Sequence, residues 1–430
     1  MRRTSFLTAG LCGLLIFLVA CGSTQPGSTL SAPPTVPPGE NLYVLDGYTS
    51  ASAGGQRIVA FHPGDSTSIP LPAGLISQDH QRIYTTTNQN GKSIITVTNT
   101  KTGKPIRTFP IPRSSYPITG QDYTKAVISS DGHWLALRQD VQSQGGSVFA
   151  LVDTETGQLA KNFQVNGNFD LDAVSPNGSR VYLLERLNDP SGHYYVRLYD
   201  VNKSQLAQGI VADKSELNDP RMVGSALTRQ MASDGTRAYT LYTDTRGNIA
   251  FVHILPLASD YNGARCINLP AGKSADLLHY YTLALSSDGS TLYATNAALG
   301  VMVAINVSDK DAFSDQIQTT VHFNPGNVQV TNDEMTHTLH NGAVLSPDQS
   351  TLYVAGMHGI VAIDIAGSKV KSSYATQQVF TSIALSADGQ TVYAVSPNNG
   401  ITLINTGSGQ TRQITRSPVH TPWGIEWISN

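Results

Sequence analysis

One phrase recurs along the chain and restricts what it can fold into. An apolar run leads into Ser-x-Asp-Gly, two or three polar residues follow, and a tyrosine stands inside a second apolar run. The clearest copies are LALSSDGSTLYATN (283–296), AVLSPDQSTLYVAG (343–356) and IALSADGQTVYAVS (383–396); looser copies lie at 75–86, 127–137, 173–184 and 231–241. The acidic or amide position falls at Asp79, Asp131, Asn177, Asp234, Asp288, Asp348 and Asp388, at intervals of 40 to 60 residues. Five residues on stand Tyr84, Ala136, Tyr182, Tyr239, Tyr293, Tyr353 and Tyr393. Asp-Gly between alternating apolar residues is the signature of a tight hairpin, because glycine supplies the positive φ at no steric cost. A second hairpin follows most copies, as in GVMVAINVSDK (300–310) and GIVAIDIAGSK (359–369). One unit is therefore four short antiparallel strands, a to d. That content and period predict an all-β chain built as a β-propeller of four-stranded blades. Composition agrees: Gly 38, Pro 22 and Tyr 18, with only 14% charged residues, favour turns and strands over helices.

The two ends complete the count. Residues 40–47, 56–63 and 67–72 read as strands b, c and d without a strand a, and Tyr43 falls where a repeat tyrosine belongs. The tail TPWGIEWISN (421–430) reads as a strand a with nothing after it. Pairing the C-terminal strand with the N-terminal three closes the ring and removes the exposed edges of an open array. Seven complete units plus this composite predict eight blades; seven follow if an end segment is not a strand. The phrases LYATN, LYVAG and VYAVS after the Ser-x-Asp-Gly turn resemble the YVTN family of propeller repeats, relatives of the Trp-Asp repeat propellers. The resemblance covers nearly all of 41–430. It implies the fold, and it implies little about activity, since propellers host binding modules and several enzyme classes.

The first forty residues address location. Arg2 and Arg3 precede an uncharged apolar run from Phe6 to Ala20, too short to span a bilayer stably. Leu-Val-Ala-Cys-Gly (18–22) closes it and resembles the bacterial lipoprotein signal. The resemblance implies cleavage of 1–20 and acylation of Cys21, with a lipid bilayer as partner and the extracytoplasmic side of the cell envelope as location. Fourteen of the nineteen residues 22–40 are Gly, Ser, Thr or Pro, a composition expected to bury nothing and to act as an extended tether. The expected organisation is thus signal 1–20, lipidated Cys21 and linker 21–40, and one propeller domain 41–430. Cys266 is then the single mature thiol, expected to pack as a small apolar residue. Net charge of −3 and no basic run beyond Arg2-Arg3 argue against nucleic acid.

Function is expected on the face carrying the d-to-a and b-to-c loops. Two d-to-a connections are long, about 213–225 and 323–339. Eight residues before each repeat Asp stand Leu71, Tyr123, Phe169, Ala226, Tyr280, His340, Phe380 and, for the last unit, Trp423. Six of these are aromatic or histidine. They form either wedges between blades or an aromatic collar at the channel mouth for a planar or sugar-like ligand. His337, His340 and His358 crowd into blade 7 beside Asp333 and Glu334, which makes them candidate ligands for zinc, copper or iron. Their spacing is no metal signature, and no cofactor is otherwise implied. There is no Cys-x-x-Cys, P-loop, Gly-x-Ser-x-Gly or Gly-x-Gly-x-x-Gly. Eight-bladed quinone-cofactor dehydrogenases carry a tryptophan-rich docking repeat, which three tryptophans (Trp134, Trp423, Trp427) do not supply. Lactonase-type propellers cluster carboxylates at the channel, whereas Asp122, Asp170, Asp333 and Glu334 are scattered. Two readings follow. One is a tethered binding module for a protein, peptide or glycan. The other is a propeller enzyme or cofactor carrier, lactonase-like or oxidoreductase-like, working at the channel mouth.

Overall fold

Each repeat serine and aspartate closes the same turn. The hydroxyls of Ser77, Ser129, Ser175, Ser286, Ser346 and Ser386 donate to Asp79, Asp131, Asn177, Asp288, Asp348 and Asp388. The same hydroxyl oxygens accept the backbone N–H five residues on, at Arg82, Trp134, Arg180, Thr291, Thr351 and Thr391. Blade 5 has Ala232 in the serine place, yet Asp234 still accepts the Thr236 N–H. The residue after the aspartate lies in the left-handed region: Gly132, Gly178, Gly235, Gly289 and Gly389 have φ between 67° and 73°. Blades 2 and 7 place His80 (φ 55°) and Gln349 (φ 60°) there instead.

The computed structural model describes residues 32–47, 56–113, 115–120, 122–140, 145–213, 219–259, 262–310, 312–325, 339–396 and 399–429. Cys21, Asp333, Glu334 and His337 lie outside the described residues. Eight antiparallel sheets, each with its a strand innermost, form an eight-bladed propeller. Blade 1 is the composite: Pro422–Ser429 pairs with Asn41–Asp46, followed by Arg57–Phe61 and Ser68–Pro72. Inside it Tyr43 stacks on Trp427, ring centroids 4.1 Å apart. The a strands of blades 2 to 8 are Leu75–Ile76, Ala126–Ile128, Phe169–Val174, Ser225–Met231, Tyr281–Leu285, Ala343–Leu345 and Ser382–Leu385. Blade 5 departs from the expected four strands. Ala212–Asp213, where the long connection begins, adds a fifth strand parallel to Gly263–Asn268.

The core sits between blades. Eight apolar clusters each fill one seam of the ring, from blades 1 and 2 around to 8 and 1. The repeat tyrosines are buried in these seams and some pin neighbouring units. Tyr84 donates to Gly132 O of blade 3, and Tyr182 to Pro256 O of blade 5. Tyr393 donates to the Glu40 carboxylate, which also accepts the Ala387 N–H. A buried phenol gains from such a partner; Tyr239 departs from the pattern, its buried hydroxyl having none among the described residues. The expectation that residues 22–40 bury nothing fails for 32–40. Pro34 and Glu40 are buried, Thr35 O accepts the Thr391 hydroxyl and Ala32 O that of Ser408. This segment docks on blade 8 at the face of the a-to-b and c-to-d turns.

Candidate functional site in the central channel

The innermost strands enclose a cavity of about 410 Å³. Its polar wall on one side is built by two strands that depart from regular pairing. A register shift between Leu171 and Ala173 leaves Asp172 as an extra, bulged residue of the blade 4 a strand. Bulges re-aim a side chain, and here the carboxylate meets Arg229 of blade 5. The Arg229 guanidinium donates to the Asp172 carboxylate, to Asp172 O and to Thr240 Oγ1. It also lies 4.6 Å from the centroid of the Tyr123 ring. Both charges are buried, with side-chain exposures of 6% and 2%. Burial opposes the charged guanidinium, but Asp172 outweighs it and raises the Arg229 pKa.

The opposite wall carries the ionisable centre. His340, just before the blade 7 a strand, reaches across to blade 1, where its Nε2 lies 3.1 Å from Glu426 Oε1. The contact is an ion pair without the alignment of a hydrogen bond. Glycine at 424 makes room for it: a Cβ there would come within 2.4 Å of the His340 ring. Burial lowers the His340 pKa, but the charge and contact of Glu426 overcome this and leave it raised. His80, from the blade 2 turn, responds to the same carboxylate from the other side. Burial lowers its pKa, and the pulls of Glu426 and Asp79 do not restore it. One carboxylate thus stands between an imidazole that favours its proton and one that does not. His340 and Glu426 also line a second cavity of about 140 Å³, bounded by Gln56, Gly74 and Gly120 on the loop-rich face. The pair forms the partition between that face and the channel.

The expected eight-residue collar splits into two populations. Tyr123, Ala226 and His340 line the channel cavity. Phe169 packs in the seam between blades 3 and 4, and Tyr280 and Phe380 pack in the seam between blades 7 and 8. Trp423 is half-buried at the start of the blade 1 a strand, where its carbonyl accepts the Thr381 hydroxyl. Leu71 lies on the outermost strand of blade 1. His358 occupies the b-to-c turn of blade 7, where its Nε2 is buried, and lines none of the three main cavities. Among the described residues no three His, Cys, Asp or Glu side chains gather as a metal site. Asp122 accepts from Thr124, and Asp170 is held between Arg138 and Arg186.

Sequence reasoning missed Glu426, His80, Asp172 and Arg229. Glu426 is, like Asp172, an extra residue: the register passes from Tyr43–Trp427 to Val44–Ile425, so Ile425 and Trp427 enter the seams on opposite sides of blade 1 and Glu426 between them lines the channel, an outcome that regular alternation does not predict.

The sequence matches no family model and no curated protein. Solved structures share the architecture at low identity. A periplasmic gluconolactonase of Pseudomonas aeruginosa is 16% identical over 89% of this chain and 97% of its own, with a TM-score of 0.43. A protein described as a putative 6-phosphogluconolactonase, from Bacteroides uniformis, is 16% identical over 89% and 98%, with a TM-score of 0.42. A dihydro-heme d1 dehydrogenase is 14% identical over 80% and 65%, with a TM-score of 0.45. Among the described residues no helix is long and apolar enough to cross a membrane.

Proposed function

We propose that this chain is a lipid-anchored binding propeller of the bacterial cell envelope. It takes a polar group of its partner, an ammonium or hydroxyl of a peptide or cell-wall glycan, at the Glu426–His340 partition. The observation that carries the reading is the placement of that pair. A buried carboxylate and an imidazole whose pKa it raises are shared by two adjoining cavities, one opening on the loop-rich face. Groups so buried interact strongly with a ligand that displaces water from them. The N-terminal segment supports the same orientation. Residues 32–40 dock at the turn face, opposite the loop-rich mouth. Residues 22–31 keep the Gly, Ser, Thr and Pro-rich composition of a tether. A propeller held by acylated Cys21 then presents its mouth away from the bilayer.

The test is calorimetric titration of residues 32–430 with muropeptides, amino sugars and neutral sugars. Binding of an amine-bearing fragment that falls at least tenfold in Glu426→Gln supports the reading. Equal affinity in the variant overturns the site. Loss of membrane fractionation in Cys21→Ser checks the anchor separately.

A second reading rests on the opposite shifts of His340 and His80 around one carboxylate. Titratable groups pushed apart in this way are the arrangement of an acid and a base. On this reading His80 accepts a proton and His340 donates one. Turnover of a sugar lactone that survives His80→Ala and His340→Ala removes it.

A further inference from the structure

A third cavity, about 190 Å³, lies away from the channel at the outer edge of blade 5. Alternation along Ile249–Pro256 places Phe251 and His253 on the face that lines it, and Cys266 lines it from the neighbouring strand. The register sets His253 directly opposite Cys266. Side chains so paired share a face with Cβ atoms ~4.5–5.5 Å apart. The Cys266 backbone is pinned by its N–H donating to Asp213 Oδ2 at 2.7 Å. Cys266 packs against the apolar cluster between blades 4 and 5, yet it is half-buried and forms no disulfide. His253 is 1% exposed and meets the edge of Tyr242, ring centroids 6.2 Å apart. Among the described residues no group hydrogen-bonds its ring, although it lines the cavity. Burial lowers its pKa against the pull of Asp172, which leaves a neutral imidazole beside the thiol. Met222 and Phe251 supply apolar wall, and the Asp219–Arg221 pair, 2.6 Å apart, stands at the same cavity with both side chains substantially exposed.

We propose that Cys266 is a thiol-exchange site for a small amino-acid-type disulfide such as cystine. Asp219 and Arg221 meet the ammonium and carboxylate of one half, and its short stem lies on Met222 and Phe251. His253 takes the Cys266 proton. The thiolate attacks the nearer sulfur, the ligand's S–S bond breaks, and a mixed disulfide forms. The departing thiolate takes the proton back from His253, so one disulfide and one thiol become one mixed disulfide and one small thiol. Residues 41–430 contain no second cysteine to resolve the adduct. The modification therefore persists until an external thiol removes it.

The experiment follows adduct formation on residues 32–430 by intact mass with cystine, cystamine and dithiodiglycolate at pH 7. The expected result is a single adduct, absent in Cys266→Ser. It forms at least tenfold faster in the native protein than in guanidinium-unfolded chain, fastest with cystine. His253→Gln, which keeps a polar side chain of similar size, loses about tenfold or more of the native rate. Unfolded wild type and variant react alike, which separates the effect of the imidazole from the thiol's intrinsic chemistry. A native rate at or below the unfolded rate, no preference for cystine, or an unchanged rate in His253→Gln each overturns the proposal.

Discussion

Replacing Asp172 by alanine removes the only carboxylate bonded to Arg229 among the described residues and leaves the guanidinium inside the ring. Its side chain is 6% exposed, and its remaining contacts are one carbonyl, one threonine hydroxyl and the Tyr123 face. Stranding one member of a buried pair costs about 3–5 kcal/mol, because the surviving charge keeps its desolvation penalty. The propeller domain spans about 390 residues, and unfolding entropy near 2.1 cal/mol/K per residue gives roughly 0.8 kcal/mol/K for the ring as one cooperative unit. The expected loss is about 4–6 °C in Tm, read by calorimetry. Arg229→Met with Asp172→Leu removes both charges and should recover most of the loss, since an apolar pair of similar volume is often neutral or better. A loss below about 1 °C in Asp172→Ala, or a double variant no better than the single, would refute the account of this pair as two charges that hold each other in the interior.

Three further outcomes are expected. The pKa of His340 is raised in the fold, so its contribution to stability is full below the ordinary histidine value near 6.5 and is lost as pH rises through the folded value. Glu426→Gln should abolish that pH dependence, read as Tm between pH 5.5 and 8.5. Asp315 is 1% exposed, neither carboxylate oxygen has a well-aligned hydrogen-bond partner among the described residues, and burial raises its pKa to about 7 against the pull of Arg237. Asp315→Asn should therefore stabilise the protein by roughly 1–4 kcal/mol at pH 8, with the gain disappearing near pH 4; a gain equal at both pH values would contradict the assignment. Gly424→Ala should displace the His340 ring, costing about 1–3 kcal/mol by overpacking and removing the His340 contribution to the pH profile. An unaltered His340 titration by NMR would show that the contact is not tight.

The propeller was legible because its information is local. Ser286, Asp288 and Gly289 build one turn within six consecutive positions, and Tyr293 falls on the following strand at a fixed offset. Copying that unit predicts blades, and the unpaired ends, with Tyr43 in register, predict the closure that Asn41–Asp46 and Pro422–Ser429 make. The aromatic residues before each repeat were legible as a pattern, but their direction was not. Phe169 and Tyr123 hold equivalent places and both touch the seam between blades 3 and 4, yet only Tyr123 also lines the channel. Small differences in where each a strand begins decide this, and spacing does not report them.

From the sequence alone come the strand content, the turn chemistry, the composite blade and the expected address at the N-terminus. Each rests on neighbours within a few residues or on simple counting. Tertiary structure decided which ionisable groups meet. Glu426 lies 86 residues from His340 and far from His80, yet all three approach because the ring brings their blades to one axis. Asp172 reaches Arg229 through a single bulged residue, and Cys266 faces His253 through the register of one strand pair. Contacts of that kind depend on closure, register and one-residue shifts, which act across the whole ring and leave no periodic trace along the chain.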